Sequence, residues 1–597
     1  MEKGIIDQRI EALRKVMKDR GVLAYIIPTG DDHMCEYLCD HFMERKYMSG
    51  FTGSAGTLVV TSDKAGLWTD GRYHLQAGEQ LKGTCIELFK AGRKGVATIK
   101  EYLTDAVQKA KDDGETDVKV GVPGNMISAD YGISLEESLA ECGAELLYRD
   151  DLVDLVWEDR PGKPESRVWV LGNEYTGEDA SSKIKRVRDT LKDGETLVVC
   201  DLPETAWLFN IRADDVLYTP VKLAFTVLDK EKALVYTDLP EGNDDIRTYL
   251  SGLGAEVRPY DDFYKDIAGL PGRAVVDKLY ANYKLYRLLK ETGEVEFRKS
   301  DITEFKAIKN DTEAENLISC HVDDGAALTK FIYYMKHTDN VETEISAADK
   351  LEAFRRQTPD LFELSFDSIC GFADHGAIIH YGATPETDVT IEKRSMLLID
   401  SGGQYLRGTT DVTRTFAMGE VTPEMKKHYT AVMQGTLRLM NAKFPEGTPG
   451  SLLDGIVRSP VWAINCDYMH GTGHGIGFCL GVHEDPVRIP GPPTEDAWTF
   501  KAGAVVSDEP GIYIDGEYGI RIENQLLCVK CGDGLFGDML GFRCLTMAPM
   551  DMDLVDLDML NSDDLRMLRD YQNTVYEALK DRLNDDEREW LKSQTEF

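Results

Sequence analysis

The spacing of apolar and polar positions changes several times along this chain, and the changes divide it into blocks. Near the N-terminus, "RIEALRKVMKDRG" repeats its apolar residues with helical period and stops at Gly21. "VLAYIIP" then reads as a strand, and "GTLVVTSDKAGLWTD" as a hairpin turning at Asp63 and Lys64. Two prolines and a run of charges in "EDRPGKPES", residues 158–166, mark a linker. After it the plan recurs: "KIKRVRDTLKDGETLVVCDLPE" is helix, glycine, strand, and "LAFTVLDKEKALVYTD" is again a hairpin ending in Thr-Asp. The recurrence points to two similar α/β domains in tandem; two unrelated α/β domains would give the same alternation.

A third block begins near residue 303. "ITEFKAIKNDTEAENLISCHVDDGAALTKFIYYMKH" is a long helical region in which Asn310, Asp311 or Thr312 could cap a new helix. Strand patterns follow from about 366 to 420, then a helix with Thr422 at the N-cap and Pro423 in its first turn. Strands resume around 503–530, and the last fifty or so residues are acidic with helical spacing. Partial segregation of strands and helices favours an α+β third block. The expected organisation is an α/β and α+β multidomain chain: residues 1–158, 159–302, a catalytic block 303–544 and a C-terminal extension 545–597.

Composition adds limits. At 597 residues the chain is too long for one core. No stretch approaches the roughly twenty apolar residues that span a bilayer. The N-terminus is charged and amphipathic without a signal-peptide core, so a cytoplasmic location is expected. With 68 basic against 105 acidic residues, the net charge of −37 repels nucleic-acid phosphates and anionic membranes, and neither is expected as a partner. Twelve cysteines suit reduced thiols; the single C-x-x-C, Cys528 and Cys531, lacks the second pair a zinc knuckle needs.

The chemistry concentrates in "YMHGTGHGIGFCLGVHE", residues 468–484, which holds three of the chain's 11 histidines. Its alternating glycines and lack of lysine do not fit a phosphate loop. His483-Glu484 opens a zincin pattern, but Val487 stands where the second histidine belongs. "FTGSAG" at 51–56 has Thr52 in place of the first glycine of a serine-hydrolase elbow. What remains is an open glycine-rich loop delivering imidazoles to a cavity, its glycines permitting close approach to a ligand and positive φ.

Carboxylates stand at the ends of apolar runs elsewhere in the same block. The strand Met396–Ile399 ends in Asp400, and Asp411 follows in "TTDVTRTF", so a hairpin could set the two side by side. The run "AGAVV" stops at Asp508 and Glu509, and "YGIRIENQLLCV" alternates Ile520 and Ile522 against Arg521 and Glu523. Acids in such places are costly unless something positive meets them. Four of them with a histidine loop imply metal, and four carboxylates neutralise two divalent cations. A mostly oxygen donor set suits Mn²⁺ and tolerates Co²⁺ or Zn²⁺. Two ions about 3.5–4 Å apart can share a water and polarise a carbonyl, which is amide-hydrolysis chemistry.

The order Asp400, Asp411, His474, Glu509, Glu523, within "LIDSG", "TTDVTRTF", "HGTGHGIG", "DEPGIY" and "GIRIEN", resembles the pita-bread metallopeptidases. "SGFTGSAGTLVVTSDKAGLWTDGRYHLQA" resembles their creatinase-like N-terminal domains, and the tandem blocks resemble the three-domain, cytosolic Xaa-Pro aminopeptidases of that family. The resemblance implies that Asp400 chelates one ion, that His474 and Glu509 hold the other, and that Asp411 and Glu523 bridge both. It implies that Arg521 supports this set from behind, and that His380, His470 and His483 hydrogen-bond substrate, stabilise the oxyanion and assist proton transfer. Glu509 is also a candidate proton shuttle. The implied activity is removal of the first residue from peptides with proline at the second position, by a hydroxide bridging the ions. A homodimer held largely through the C-terminal extension, residues 545–597, is implied as well. Two alternatives stay open: a prolidase acting on Xaa-Pro dipeptides, and a non-catalytic peptide- or histone-binding module on the same fold.

Overall fold

The computed structural model describes residues 3–270, 272–490, 497–535 and 537–597. The chain forms two compact units, one of Met1–Val170, Ala180–Leu217 and Val221–Ile302, the other of Leu171–Asp179, Tyr218–Pro220 and Thr303–Phe597.

The first unit contains the same sheet twice. In one copy the strand order is Glu87–Lys90, Ala65–Thr69, Thr57–Thr61, Ala24–Pro28, Lys119–Gly121, Glu145–Leu147. In the other it is Ala255–Arg258, Ala233–Tyr236, Phe225–Leu228, Glu195–Val199, Arg273–Val276, Glu294–Phe297. Both run parallel, antiparallel, antiparallel, parallel, parallel across their pairings. The repeated sequence pattern is thus a repeated topology, and both predicted hairpins are present.

Period-two alternation explains why the first sheet is covered on both faces. Tyr25 and Ile27 pack with Ile6, Ile10 and Leu13 of helix Lys3–Asp19. Their neighbours Ala24 and Ile26 pack on the other face with Leu103, Val107 and Leu135. Helix Lys3–Asp19 ends ahead of Gly21, whose φ of +65° suits glycine. Thr98 and Glu101 close a capping box at the start of helix Ile99–Asp112.

The second unit carries the predicted α+β block. Asn310 is the residue that caps helix Asp311–His337, in a capping box with Glu313, and Thr422 caps helix Pro423–Met440. A wholly antiparallel sheet runs Lys443–Pro445, Gly537–Cys544, Asn524–Gly534, Val505–Asp508, Gly473–Gly475, Glu484–Ile489. A second antiparallel sheet joins Ile369–Phe372, Met396–Ser401 and Val412–Ala417. Tyr429, Val432, Met433 and Leu437 meet Val506, Ile520, Ile522 and Leu526 in one core, which also takes in Leu568, Val575 and Leu579 of the C-terminal helix Ser562–Leu579. Buried Arg414 ties these layers: it donates to the carbonyls of Thr413 and Glu523, to those of Ala548 and Pro549, and to Tyr571.

Three features differ from the sequence expectations. Helix Gly450–Ala463, which runs through Pro460, was not anticipated, because its short apolar runs around glycine, serine and proline hide the helical period. The histidine stretch is not an open loop throughout, since Gly473–Gly475 is a strand of the large sheet. Its glycines serve backbone packing: a Cβ on Gly473 would strike the Ser507 carbonyl, and one on Gly475 the Glu484 carbonyl. Among the described residues all twelve cysteines are free, and no helix is long and apolar enough to cross a membrane.

Candidate metal centre

Two sheets and a strand crossing bring the strand-end acids into one pocket. Met396–Ser401 and Val412–Ala417 pair so that Asp400 faces Thr413, and Ser401 faces Val412. Asp411 therefore stands just past the last pair, two residues from Thr413, the position that pairs with Asp400. A tight turn-back through Gly402 allows this, since a Cβ there would meet the Thr410 carbonyl. From the other side Glu523 lies between strands Tyr518–Arg521 and Asn524–Gly534. Its backbone N–H donates to the Thr413 carbonyl at 3.0 Å, and the Thr413 hydroxyl donates to its Oε2 at 2.8 Å.

His474 completes the group. Asp411, His474 and Glu523 each offer a ligand atom, all within 4.8 Å of one another. The Nε2 of His474 lies 3.5 Å from Asp411 Oδ2 and 3.6 Å from Glu509 Oε1. Its Nδ1 lies 3.0 Å from the Gly475 carbonyl, which can only accept, so Nδ1 carries a proton. That tautomer turns the Nε2 lone pair toward the two carboxylates, as a metal ligand requires. Glu509 is held by its N–H on the Thr472 carbonyl at 2.9 Å. Ser507 receives the His474 N–H at 3.0 Å and contacts Glu509 Oε1 at 3.5 Å.

Asp400 enters the pocket through Arg521, whose Nη2 donates to Asp400 Oδ2 at 2.6 Å. The other oxygen, Oδ1, is buried without a hydrogen-bond partner. Arg521 also donates to Tyr513 Oη at 3.0 Å, and Tyr513 lies 3.0 Å from Nε2 of His470. Because His470 Nδ1 lies 2.8 Å from the Gly471 carbonyl, the proton is on Nδ1 and Tyr513 donates to Nε2. His470 Nδ1 is 4.0 Å from Glu509. The ring of His483, an exposed residue, meets that of His474 edge to face at 4.3 Å. His380 lies half-buried in the turn after the short helix Ala373–Ala377, and its part in the site rests on the resemblance alone.

The electrostatics are those of a pocket built for positive charge. Burial, and then repulsion from Asp411 and Glu509, push the Asp400 carboxyl up to about 6 against the pull of Arg521. Burial, then Asp411, Asp400 and Glu509, hold Glu523 well above the usual carboxylate range. Burial alone would lower His474, yet its hydrogen bond to Asp411 and the charge of Glu509 raise it to about 9. In the metal-free protein a proton thus stands on Nε2 where a cation fits. Burial pulls His470 down, and Arg521 adds to that, so it stays neutral. The unpaired Asp400 Oδ1, the directed Nε2 and four converging carboxylates fit a pair of hard divalent ions.

Two contributors lie outside the residues singled out from sequence. Tyr513 links Arg521 to His470; it shares a strand face with Gly511, the partner of Arg521, so period-two alternation could have found it. Thr413 orients Glu523. Asp508, one of the strand-end acids, is fully buried with neither carboxylate oxygen bonded. Burial, then Glu509, push its pKa far up, so it stays protonated.

Comparison with known proteins agrees with this geometry. The model of metallopeptidase family M24 matches residues 318–530, and a model of that family's C-terminal region matches 538–597. Two models of the creatinase/prolidase N-terminal domain match 9–155 and 159–313. A "Probable Xaa-Pro aminopeptidase P" of Paracoccidioides brasiliensis (strain Pb03) is 36% identical over 623 residues, covering 100% of both chains. "Aminopeptidase P2" of Arabidopsis thaliana is 36% identical, covering 99% of this chain and 89% of its own. The crystal structure of an X-prolyl aminopeptidase from Caenorhabditis elegans, described as a cytosolic enzyme with a di-nuclear active site, superposes with TM-score 0.90 at 31% identity over 99% of both chains.

The raised Glu523 pKa means that the folded, metal-free protein holds this proton more tightly than the unfolded chain does. The ionised group therefore costs stability as pH rises above the ordinary carboxyl range near 4. Glu523→Gln is expected to raise the melting temperature measured in chelator at pH 8, with the gain shrinking toward pH 4. Added Mn²⁺ would stabilise the parent protein far more than the variant. A variant less stable than its parent in chelator at pH 8 would contradict this.

Proposed function

Since the chain belongs to metallopeptidase family M24, with creatinase/prolidase-type N-terminal domains ahead of its catalytic domain, we propose that it is a metal-dependent Xaa-Pro aminopeptidase. The observation that carries this reading is the convergence of Asp411, His474 and Glu523, with Glu509 3.6 Å from His474, in a chain that aligns end to end with Xaa-Pro aminopeptidases. Asp400 would hold one ion, His474 and Glu509 the other, and Asp411 and Glu523 would lie between them. The hard donor set favours Mn²⁺, with Co²⁺ or Zn²⁺ as substitutes.

When bound, the ions would polarise the scissile carbonyl and acidify a water. The remaining work falls to the chain. Glu509, half-buried at the edge of the pocket, accepts the proton of the attacking water and returns it to the departing nitrogen. That return matters here because a proline nitrogen carries no hydrogen of its own and leaves as a secondary amine only once protonated. Neutral His470 is held at Nε2 by Tyr513, and its Nδ1–H, 4.0 Å from Glu509, turns from the Gly471 carbonyl to donate to the substrate carbonyl and its developing oxyanion. His483 and His380 take the same kind of substrate contact. Arg521 keeps Asp400 ionised and fixes its angle.

The same reading extends to setting and assembly. The description of the nematode relative as a cytosolic enzyme supports a cytoplasmic location. A homodimer accounts for an uncharged face on helix Gly450–Ala463: Leu452 is 69% and Trp462 51% exposed, and Met469 beyond the helix is 93% exposed. Large apolar side chains grouped on an otherwise acidic surface favour a self-complementary contact.

Two experiments test these statements. Metal-depleted protein is incubated with Arg-Pro-Pro or Gly-Pro after separate addition of Mn²⁺, Co²⁺ or Zn²⁺. Release of arginine from the tripeptide, strongest with Mn²⁺, is expected. Activity on the dipeptide alone would make it a prolidase, and inertness with every ion a binding module. In sedimentation velocity the parent is expected to run as a dimer and Trp462→Glu as a monomer; a monomeric parent, or a dimeric variant, would end the dimer reading.

A further inference from the structure

The loop that delivers His470 is wound around a single guanidinium. Arg458 stands on helix Gly450–Ala463 and is only 6% exposed. Its Nε donates to Asp454, one turn earlier on the same helix, at 2.7 Å. Nη1 donates to the Asp467 carboxylate at 2.7 Å and to the Tyr468 carbonyl at 2.8 Å. Nη2 donates to the His470 carbonyl at 2.8 Å. The Tyr468 ring covers the guanidinium carbon at 3.8 Å. Asp454 closes the circuit, because its second oxygen accepts from the Thr472 hydroxyl at 2.5 Å, and that hydroxyl oxygen accepts from Tyr468 Oη at 2.5 Å.

Both backbone acceptors of Arg458 lie in the short connection between the helix and His474. Gly471 follows His470 directly and leaves the backbone there free to take other paths. With the His470 carbonyl pinned, the imidazole is left only its own rotation, which Tyr513 and the Gly471 carbonyl settle. The next link, the Thr472 carbonyl, receives the N–H of Glu509. A planar fork is needed to serve two carboxylates and two carbonyls at once; the point charge of lysine cannot reach all four.

We infer that Arg458 is a positioning residue for the hydrolytic reaction, setting His470 against Glu509 by clamping residues 467–470 from the neighbouring helix. This rests on the aminopeptidase reading above. The clamp acts on where the imidazole sits, not on how the ions are held, so it governs turnover more than metal content. A displacement of about 1 Å at such a group is enough to cost on the order of a hundredfold in rate.

The test is a double-variant cycle on Arg-Pro-Pro hydrolysis with Arg458→Gln, Arg458→Lys, His470→Ala and the Arg458→Gln/His470→Ala pair. Each protein is also assayed for bound Mn²⁺ and for amide hydrogen exchange over residues 467–473. Both single Arg458 variants are expected to lose about ten- to a hundredfold in kcat with KM and Mn²⁺ content near the parent's. The pair is expected to be no slower than His470→Ala, because the clamp has nothing left to position. Exchange over 467–473 is expected to quicken in Arg458→Gln while the rest of the domain keeps its protection. Losses that multiply in the pair, or unchanged exchange in this segment, would overturn the inference. Should Arg458→Gln fail to fold, Arg458→Lys keeps the charge and carries the exchange comparison. A parent that cleaves no Xaa-Pro peptide would sink the aminopeptidase reading, and loop exchange would then decide the clamp by itself.

Discussion

Four carboxylates converging on one pocket cannot all stay ionised without cations beside them, and much of the second unit is arranged around that constraint. Asp400, Asp411 and Glu523 are buried and Glu509 half-buried. One guanidinium, from Arg521, reaches Asp400, and one imidazole, from His474, reaches Asp411 and Glu509. The remaining repulsion appears as a Glu523 carboxyl held to its proton, an Asp400 carboxyl raised to about 6 and a histidine that keeps its own proton. A fold tolerates this only where binding energy from elsewhere offsets it. A pair of divalent ions would supply that energy.

The scaffold meets the constraint with strands rather than loops. Each acid sits at or just beyond the end of a buried strand, where the backbone is fixed by its ladder and the side chain can still leave the core. Close backbone approach makes the geometry possible: Gly402 beside the Thr410 carbonyl, Gly473 beside that of Ser507, Gly519 beside that of Gly376. The supports lie one contact further out. Thr413 fixes Glu523, Ser507 lies between His474 and Glu509, and Arg414 locks the crossing of the two strand systems.

Some of this was legible in the sequence and some was not, for identifiable reasons. The acids stand out because an ionisable residue that ends an apolar run contradicts the burial its neighbours predict. The doubled N-terminal sheet was visible because helix, glycine, strand and hairpin recur in the same order. Helix Gly450–Ala463 was hidden by its proline and small residues, and with it Arg458, two of whose four acceptors are carbonyls that leave no trace in side-chain pattern. The histidine stretch looked like an open loop because glycines that serve strand-to-strand packing have the same letters as glycines that serve flexibility. The two-residue offset of Asp411 from the position opposite Asp400 depends on a turn-back that only the folded register reveals.

The claim beneath the whole account is that five side chains hold two ions. Crystals grown with Mn²⁺ and measured at the manganese absorption edge test it directly. Two anomalous peaks about 3.5–4 Å apart are predicted, one against His474 and Glu509, one against Asp400, with Asp411 and Glu523 between them. No peak, a single peak, or peaks away from these residues would contradict it.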